Sequence, residues 1–187
     1  MTSSEKSLSS TQYKNLLVLD LFSYGSALSI LNQFVDDDQI KAFEISPTGS
    51  AATLILLIRD FLTATVLKKE IESQFKSSLH SLSLIENIHQ NLLPTYLSQK
   101  QGLLSKKMLV AESNSLADSF FLAQNSLTEN YSLVDFRVVR TFPKNVILIF
   151  SADQFAVNFI EKLQKKNFHL TQIDHINSAL KSYFEIV

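Results

Sequence analysis

Short apolar runs alternate with amphipathic segments along this chain, and the same order of patterns occurs twice. Each half begins with an apolar run typical of a buried strand, Leu16 to Leu21 in the first half and Met108 to Ala111 in the second. A serine follows each run, Ser23 or Ser115, and its hydroxyl can accept hydrogen bonds from the free amides of a helix start. The helix predicted after Ser115 has one apolar face, formed by Leu116, Phe120, Ala123 and Leu127.

Two strands joined by a short polar turn follow the first helix of each half. The predicted pairs are Gln39 to Ile45 with Ala51 to Ile58, and Leu133 to Val139 with Val146 to Phe150. Their connections, SPTGS and RTFPKN, contain the Pro and Gly residues that are typical of hairpin turns.

A second helix and a fourth strand complete each half. Asp60 and Asp153 are predicted to cap the second helices, and the last strands are expected near Leu82 to Ile88 and Phe168 to Ile173. The order β-α-β-β-α-β is that of the ferredoxin-like arrangement. The sequence therefore predicts an α+β protein with two tandem ferredoxin-like β-α-β-β-α-β domains.

The two halves also align residue by residue. Placing Lys14 on Lys106 matches Asp20 with Glu112, and one inserted residue then brings Phe43 onto Phe136. The alignment indicates a tandem duplication. We expect a flexible Ser-rich tail over residues 1–12, a first domain over 13–98, a linker over 99–102 and a second domain over 103–187.

Composition excludes several classes of protein. The 187 residues carry 17 Lys and Arg against 18 Asp and Glu, so no excess of positive charge is present to bind nucleic acid. The chain contains no Cys, which excludes disulfide scaffolds and thiolate metal sites and suits a reducing cytoplasm. The most apolar stretch, Ala51 to Leu67, is interrupted by Arg59 and Asp60, so no membrane span is expected.

Catalytic and metal-binding patterns are weak. The four histidines, at positions 80, 89, 169 and 175, show no paired metal-ligand spacing, and no nucleophile can be matched with a base. We predict no catalytic residues, no metal site and no cofactor, and hence a protein that is not an enzyme.

The segment VLDLFSYGSALSILNQF has Asp20 at an acidic position after an apolar run and Gly25 at the start of a helical pattern. It is similar to the opening strand and helix of the bacterial microcompartment shell domain, and each half of the chain resembles that domain. FEISPTGSAATLILLIRD resembles the family's strand, pore loop and strand, and SLIENIHQNLLPTYL resembles its proline-bearing tail through His89 and Pro94. The whole chain looks like a divergent tandem version of the domain.

This resemblance implies a structural, self-assembling shell subunit of the cytoplasm. In the tandem family, a homotrimer forms a pseudohexameric ring with a central pore, and other shell proteins are further partners. One departure concerns the tile edge, because typical tiles carry a lysine near the end of the first helix. This chain has FVDDDQ and LTEN in those regions.

The resemblance also places the two turns at the pore. The residues concerned are Ser46, Pro47, Thr48, Gly49, Ser50, Arg140, Thr141, Phe142, Pro143 and Lys144. Arg140 and Lys144 would then attract anions to the opening. Plain hairpin turns are the alternative for both loops. For the whole chain, the alternative is a two-domain module that binds or senses a small ligand without forming a shell.

Overall fold

The first half folds into four strands and three α-helices. The computed structural model describes residues 13–35, 38–48, 50–100, 102–139 and 145–185. The elements of the first half are β1 (Asn15–Leu21), α1 (Tyr24–Phe34), β2 (Ile40–Thr48), β3 (Ala51–Ile58), α2 (Phe61–Gln74), β4 (Leu79–Ile85) and the short α3 (Leu92–Tyr96).

The second half repeats this order of elements. They are β5 (Lys107–Ser113), α4 (Leu116–Thr128), β6 (Ser132–Val139), β7 (Asn145–Ala152), α5 (Val157–Lys165), β8 (His169–Ile173) and α6 (Ser178–Glu185). Each half forms one four-stranded sheet, with strand orders β2-β3-β1-β4 and β6-β7-β5-β8. All neighbouring strands are antiparallel. The predicted α+β class with two ferredoxin-like units is confirmed.

Strand β1 lies inside the first sheet and is buried on both faces. Leu17 and Leu19 point toward α1 and α2, whereas Leu16 and Val18 point to the opposite side. This alternation follows from the two-residue period of a strand. It explains why a continuous apolar run, rather than an alternating one, marks β1 in the sequence. We call the sheet face turned away from α1 and α2, or from α4 and α5 in the second half, the outer face.

The predicted helix caps agree with the structure at two of four positions. The Asp60 carboxylate accepts from the Thr63 amide at 2.8 Å, and the Ser115 hydroxyl accepts from the Asp118 amide at 3.0 Å. Ser23 stands at the start of α1, but its side chain makes no capping hydrogen bond. Two helix starts are therefore capped by the residue type that the sequence indicated.

The prediction that Asp153 caps the fourth long helix is wrong. That helix, α5, begins at Val157, because buried Phe155 packs on Tyr131 and Phe159 before the helical turn starts. The free amide of Ala156 donates to the Tyr131 hydroxyl instead, at 3.1 Å. Asp153 accepts from the Ser105 hydroxyl.

The start of one strand and the alignment between the two halves also differ from prediction. Strand β4 begins at Leu79, three residues before the predicted start, because a tight turn over Lys76–Ser78 already leads into the sheet. Glu44 of β2 pairs with Ile55, and Asp135 of β6 pairs with Ile149, each directly after a bulge. Glu44 and Asp135 are therefore equivalent, whereas the sequence alignment placed Phe43 on Phe136. The extra length of the second half thus lies in the turn between β6 and β7 and not before β6.

The predicted tail over residues 1–12 lies outside the described residues. Within the described ranges, no helix combines the length and apolar character needed to cross a bilayer.

Candidate functional site: the seam between the halves

Helix α4 packs against both sheets and joins the two halves. Its own sheet covers one side, while the outer face of the first sheet covers the other. Leu116 and Phe120 of α4 are at most 1% exposed and belong to the same apolar cluster as Val18 and Ile85 of the first sheet. Burial of this kind stabilises by roughly 25 cal/mol per Å² of apolar surface. We call the contact between α4 and the first sheet the seam.

An aromatic cluster lies at the centre of the seam. Phe120 lies with its ring centroid 4.8 Å from Tyr96 of α3 and 4.8 Å from Phe136 of β6. Tyr96 and Phe136 meet edge to face at 5.1 Å. The Tyr96 hydroxyl donates to the Glu44 carboxylate at 2.6 Å, so the buried ring keeps a partner for its polar atom.

A buried carboxylate connects β1 to the start of α4. Asp20 is 3% exposed, and its oxygens accept from the Thr53 hydroxyl at 3.1 Å and from the Ser81 hydroxyl at 2.8 Å. From the other half, the Ser115 hydroxyl donates at 3.1 Å and the Ala117 amide at 3.0 Å. The negative charge therefore lies at the positive end of the α4 dipole, which is a favourable arrangement.

A glutamine side chain closes the other end of the seam. The Gln124 amide of α4 donates to the carbonyls of Asn87 at 3.1 Å and Glu86 at 3.4 Å. Its oxygen accepts from the His89 amide at 2.9 Å. One side chain thus satisfies three backbone groups of the segment that follows β4, where Asn87 adopts a positive φ of 49°.

A polar groove of about 670 Å³ opens beside the seam. Its lining includes His80, Glu112, Asn145, Lys166 and His169. Lys166 pairs with Asp118 at 2.7 Å and so does not point an unpaired charge into the groove. Among the residues that the structure describes, no three His, Asp or Glu side chains are placed to hold a metal ion.

A second groove lies between α3, β6 and α6. Arg137 hydrogen-bonds the Tyr183 hydroxyl and pairs with the carboxylate of Asp135. The Tyr183 hydrogen bond, and then the pairing with Asp135, raise the pKa of Arg137 above its ordinary value. The guanidinium therefore stays charged, and its partner is already in place.

The predicted loop residues are only partly described. Ser46, Pro47 and Thr48 belong to β2 and pair with the start of β3, and the Ser46 hydroxyl donates to Glu44. The Ser50 carbonyl accepts from the Tyr24 amide at 2.9 Å, which links this turn to the start of α1. Gly49 and residues 140–144 (Arg140, Thr141, Phe142, Pro143 and Lys144) lie outside the described residues.

Sequence reasoning missed most residues of the seam. Asp20 was identified only as the residue aligned with Glu112 and as an acidic position of a resembled family, and Gln124 and Tyr96 were not singled out. The available signal was a polar residue inside an apolar pattern, namely Asp20 within a buried strand and Gln124 between Ala123 and Leu127. Such residues are buried when they have partners. Two partners of Asp20 and the partners of Gln124 across the seam lie in the other half.

Comparison with solved structures shows a likeness over most of the chain. A microcompartments protein from Desulfitobacterium hafniense DCB superposes with a TM-score of 0.67 at 13% identity, covering 91% of this chain and 99% of that chain. This shows a shared fold. No protein-family model matches the sequence, and no curated protein matches it.

Two further structures align only loosely. One, assigned provisionally as a glycine cleavage system transcriptional repressor, gives a TM-score of 0.31 at 10% identity, with 87% and 98% coverage. The other, an unknown protein from Galdieria sulphuraria, gives 0.29 at 9% identity, with 88% and 99% coverage.

Proposed function

We propose that this protein is a structural, non-enzymatic subunit that assembles with copies of itself into a trimer. The six domains of the three chains would form a ring. The observation that carries the proposal is the fold shared with a microcompartments protein along nearly the full length of both chains. The two β-α-β-β-α-β units of one chain would supply two of the six positions.

The seam supports this arrangement physically. It joins unlike surfaces, since a helix of one half meets the outer sheet face of the other. Contacts between unlike surfaces generate rings when the rotation closes. A chain whose halves already meet in this way needs two more copies to complete six positions.

In this ring the segments over residues 46–50 and 140–144 would surround a central opening. Three copies each of Arg140 and Lys144 would give the opening a positive field, which attracts anions. We propose a cytoplasmic location and other shell proteins as additional partners. The absence of an edge lysine argues for trimers that do not extend into sheets by the contact that typical tiles use.

Light scattering coupled to gel filtration tests the proposal directly. A trimer has three times the chain mass of 21.1 kDa. Negative-stain electron microscopy of the same fraction should show rings with a central opening. A monomer at tens of micromolar would overturn the proposal.

The polar groove is the observation that favours the alternative, a module that holds a small ligand. Its two histidines, a glutamate and an asparagine offer hydrogen bonds from both halves. Thermal shift screening of a monomeric protein with small polar metabolites would test that function, and stabilisation of a monomer by one compound would support it.

A further inference from the structure

The two sheets differ in what covers their outer faces. On the first sheet, α3 and α4 lie side by side, and both belong to one apolar cluster with β1 and β4. On the second sheet, Phe184 of α6 and Ile176, which precedes that helix, pack with Met108, Val134 and Ile149. Helix α6 follows β8 as α3 follows β4. No described helix of this chain takes the position on the second sheet that α4 takes on the first.

Outward side chains of β5 and β8 form a strip that is at least partly exposed, which we call the receiving strip: Val110, Glu112, His169, Thr171 and Ile173. By strand pairing, they occupy the positions that belong to Val18, Asp20, Ser81, Ser83 and Ile85 in the first sheet. Val18 and Ile85 are at most 1% exposed beneath α4. Val110 and Ile173 pack against the cluster around α6 but stay partly exposed, and His169 and Thr171 are exposed.

Helix α1 is the counterpart of α4, and it has one unpartnered face. Tyr24 and Leu28 are 36% and 47% exposed, while their equivalents Leu116 and Phe120 are 1% and 0% exposed. Only Ala27 and Ile30 are fully buried in α1, and both point to its own sheet. Large apolar side chains grouped on one helix face are typical of an interaction surface.

The polar positions of the seam also have counterparts on α1 and the second sheet. Ser23 and Gly25 at the start of α1 take the places of Ser115 and Ala117, and Glu112 takes the place of Asp20. Asn32, an exposed amide on α1, stands where Gln124 stands on α4. The helix and the strip therefore carry apolar, acidic and amide groups in the same order as the two sides of the seam, while His169 takes the place of Ser81.

We propose that α1 of one copy docks on the receiving strip of a second copy and repeats the seam between molecules. Tyr24 and Leu28 would cover Val110 and Ile173, and Glu112 would accept hydrogen bonds from the start of α1. The inference deepens the proposed ring and rests on it, because it assigns the surfaces that would join one chain to the next.

Glu112 and the Asn32 amide decide the orientation of the docked helix. A carboxylate is favoured at the positive end of a helix and disfavoured at the other end, so Glu112 selects the amino end of α1. Asn32 lies two turns further on and would reach the backbone after β8, over residues 174–177, as Gln124 reaches residues 86–89. The Glu112 side chain is longer than that of Asp20, and the Asn32 side chain is shorter than that of Gln124. The contact between chains therefore differs from the seam in its individual hydrogen bonds.

The partner that fits both surfaces is a second copy of this chain. Each chain carries one α1 face and one receiving strip. Within the described part of the same molecule, Val110 and Ile173 of the strip pack against the cluster around α6 and keep part of their surface exposed. Two surfaces that are complementary and present in equal number form a heterologous contact, which continues until a ring closes.

Chemical cross-linking between single-cysteine chains tests the contact. The natural chain has no Cys, so Gly25→Cys and Glu112→Cys each introduce a single thiol. A side chain at Gly25 has room, since its Cβ would lie 3.4 Å from the nearest atom, the Ser23 hydroxyl oxygen. The two variants are co-produced with different tags and treated with a short bismaleimide. We expect a cross-linked pair that carries both tags, and none from either variant alone.

A charge on the apolar face gives an independent test. Leu28→Asp should lower the mass measured by light scattering from three chains to one at the same concentration. Leu62→Asp is the matched control, because Leu62 is 73% exposed on α2, away from the proposed contact. The control should keep the wild-type mass, and both variants should keep the wild-type circular dichroism.

The outcomes separate this inference from the proposed function. A monomeric wild-type protein overturns the proposed ring and the docking together. If the wild type is a trimer, the Leu28→Asp protein stays trimeric and the two cysteine variants give no cross-linked pair, the docking alone is overturned. Cross-linking of Gly25→Cys chains with one another would show a contact between like surfaces and would also overturn the docking.

Discussion

Glu112 stands directly across from His169 in the second sheet, at the place where Asp20 stands across from Ser81 in the first. The first pair is covered by α4 and holds the helix start of the other half, while His169 of the second pair is exposed. A duplicated position has thus kept its acid and changed its surroundings. The acid that lies inside the molecule has short hydroxyl partners, and its counterpart at the surface faces an imidazole.

Replacing Asp20 should weaken the seam strongly. In Asp20→Asn, an amide NH₂ would face groups that also donate, so the Ala117 amide and the Ser115 hydroxyl lose a charged acceptor. We expect a loss of about 2–3 kcal/mol in the free energy of unfolding, measured with urea. Asp118→Asn is the control, since its surface ion pair with Lys166 contributes under about 1 kcal/mol. Equal losses in the two variants would contradict the assigned role of Asp20.

The aromatic cluster should dominate the packing energy of the seam. Phe120→Ala removes a fully buried ring between Tyr96 and Phe136, and we expect a loss of about 3–5 kcal/mol. Phe121→Ala offers a matched control one residue away, because that ring is 40% exposed. The control should cost about 1 kcal/mol or less by the same urea measurement. If the two variants were equally stable, α4 could not be anchored through Phe120.

The Asp60 cap should make stability depend on pH. Hydrogen bonds from the Thr63 hydroxyl and amide lower the pKa of Asp60 below its ordinary 3.8. A lowered folded-state pKa stabilises the protein above 3.8, and this stabilisation is lost as the pH falls through the folded-state value. Asp60→Asn keeps a capping side chain without the charge.

The measurement for this cap is the urea midpoint of both proteins from pH 7 down to about pH 3. At pH 7 the wild type should have a higher urea midpoint than Asp60→Asn, and the difference between the two midpoints should shrink as the pH drops below 3.8. Asp153→Asn should leave the midpoint nearly unchanged at pH 7, because Asp153 caps no helix. A difference that stays constant across this range would count against a charged cap.

The proposed positive opening predicts anion binding. Wild-type protein should bind sulfate at low salt, and the binding should weaken at high salt, because salt screens exposed charges. The Arg140→Ala, Lys144→Ala double variant should bind sulfate more weakly, as measured by calorimetry. Equal, salt-insensitive binding by both proteins would show that these side chains form no electropositive opening.

The sequence predicted the architecture well where local pattern decides structure. Strands β1 and β3 are buried apolar runs, and Asp60 precedes an amphipathic segment, so each could be identified within a few residues. The predicted cap at Asp153 was wrong because Phe155 packs on Tyr131 and Phe159. The contact with Tyr131 joins distant parts of the chain, which local pattern does not reveal. The seam likewise depends on contacts between distant parts of the chain, since the two partners of Asp20 in the other half are 95 and 97 residues away.

The covalent connection between the halves also governs how assembly responds to dilution. Because both sides of the seam belong to one polypeptide, their effective concentration is fixed by the chain and not by the solution. If the six domains were separate molecules, the amount of ring formed would depend on the sixth power of the free domain concentration. With two domains in each chain, it depends on the third power of the free chain concentration. Dilution would open the ring at the contacts between chains and release whole chains with half of the ring's contacts still formed.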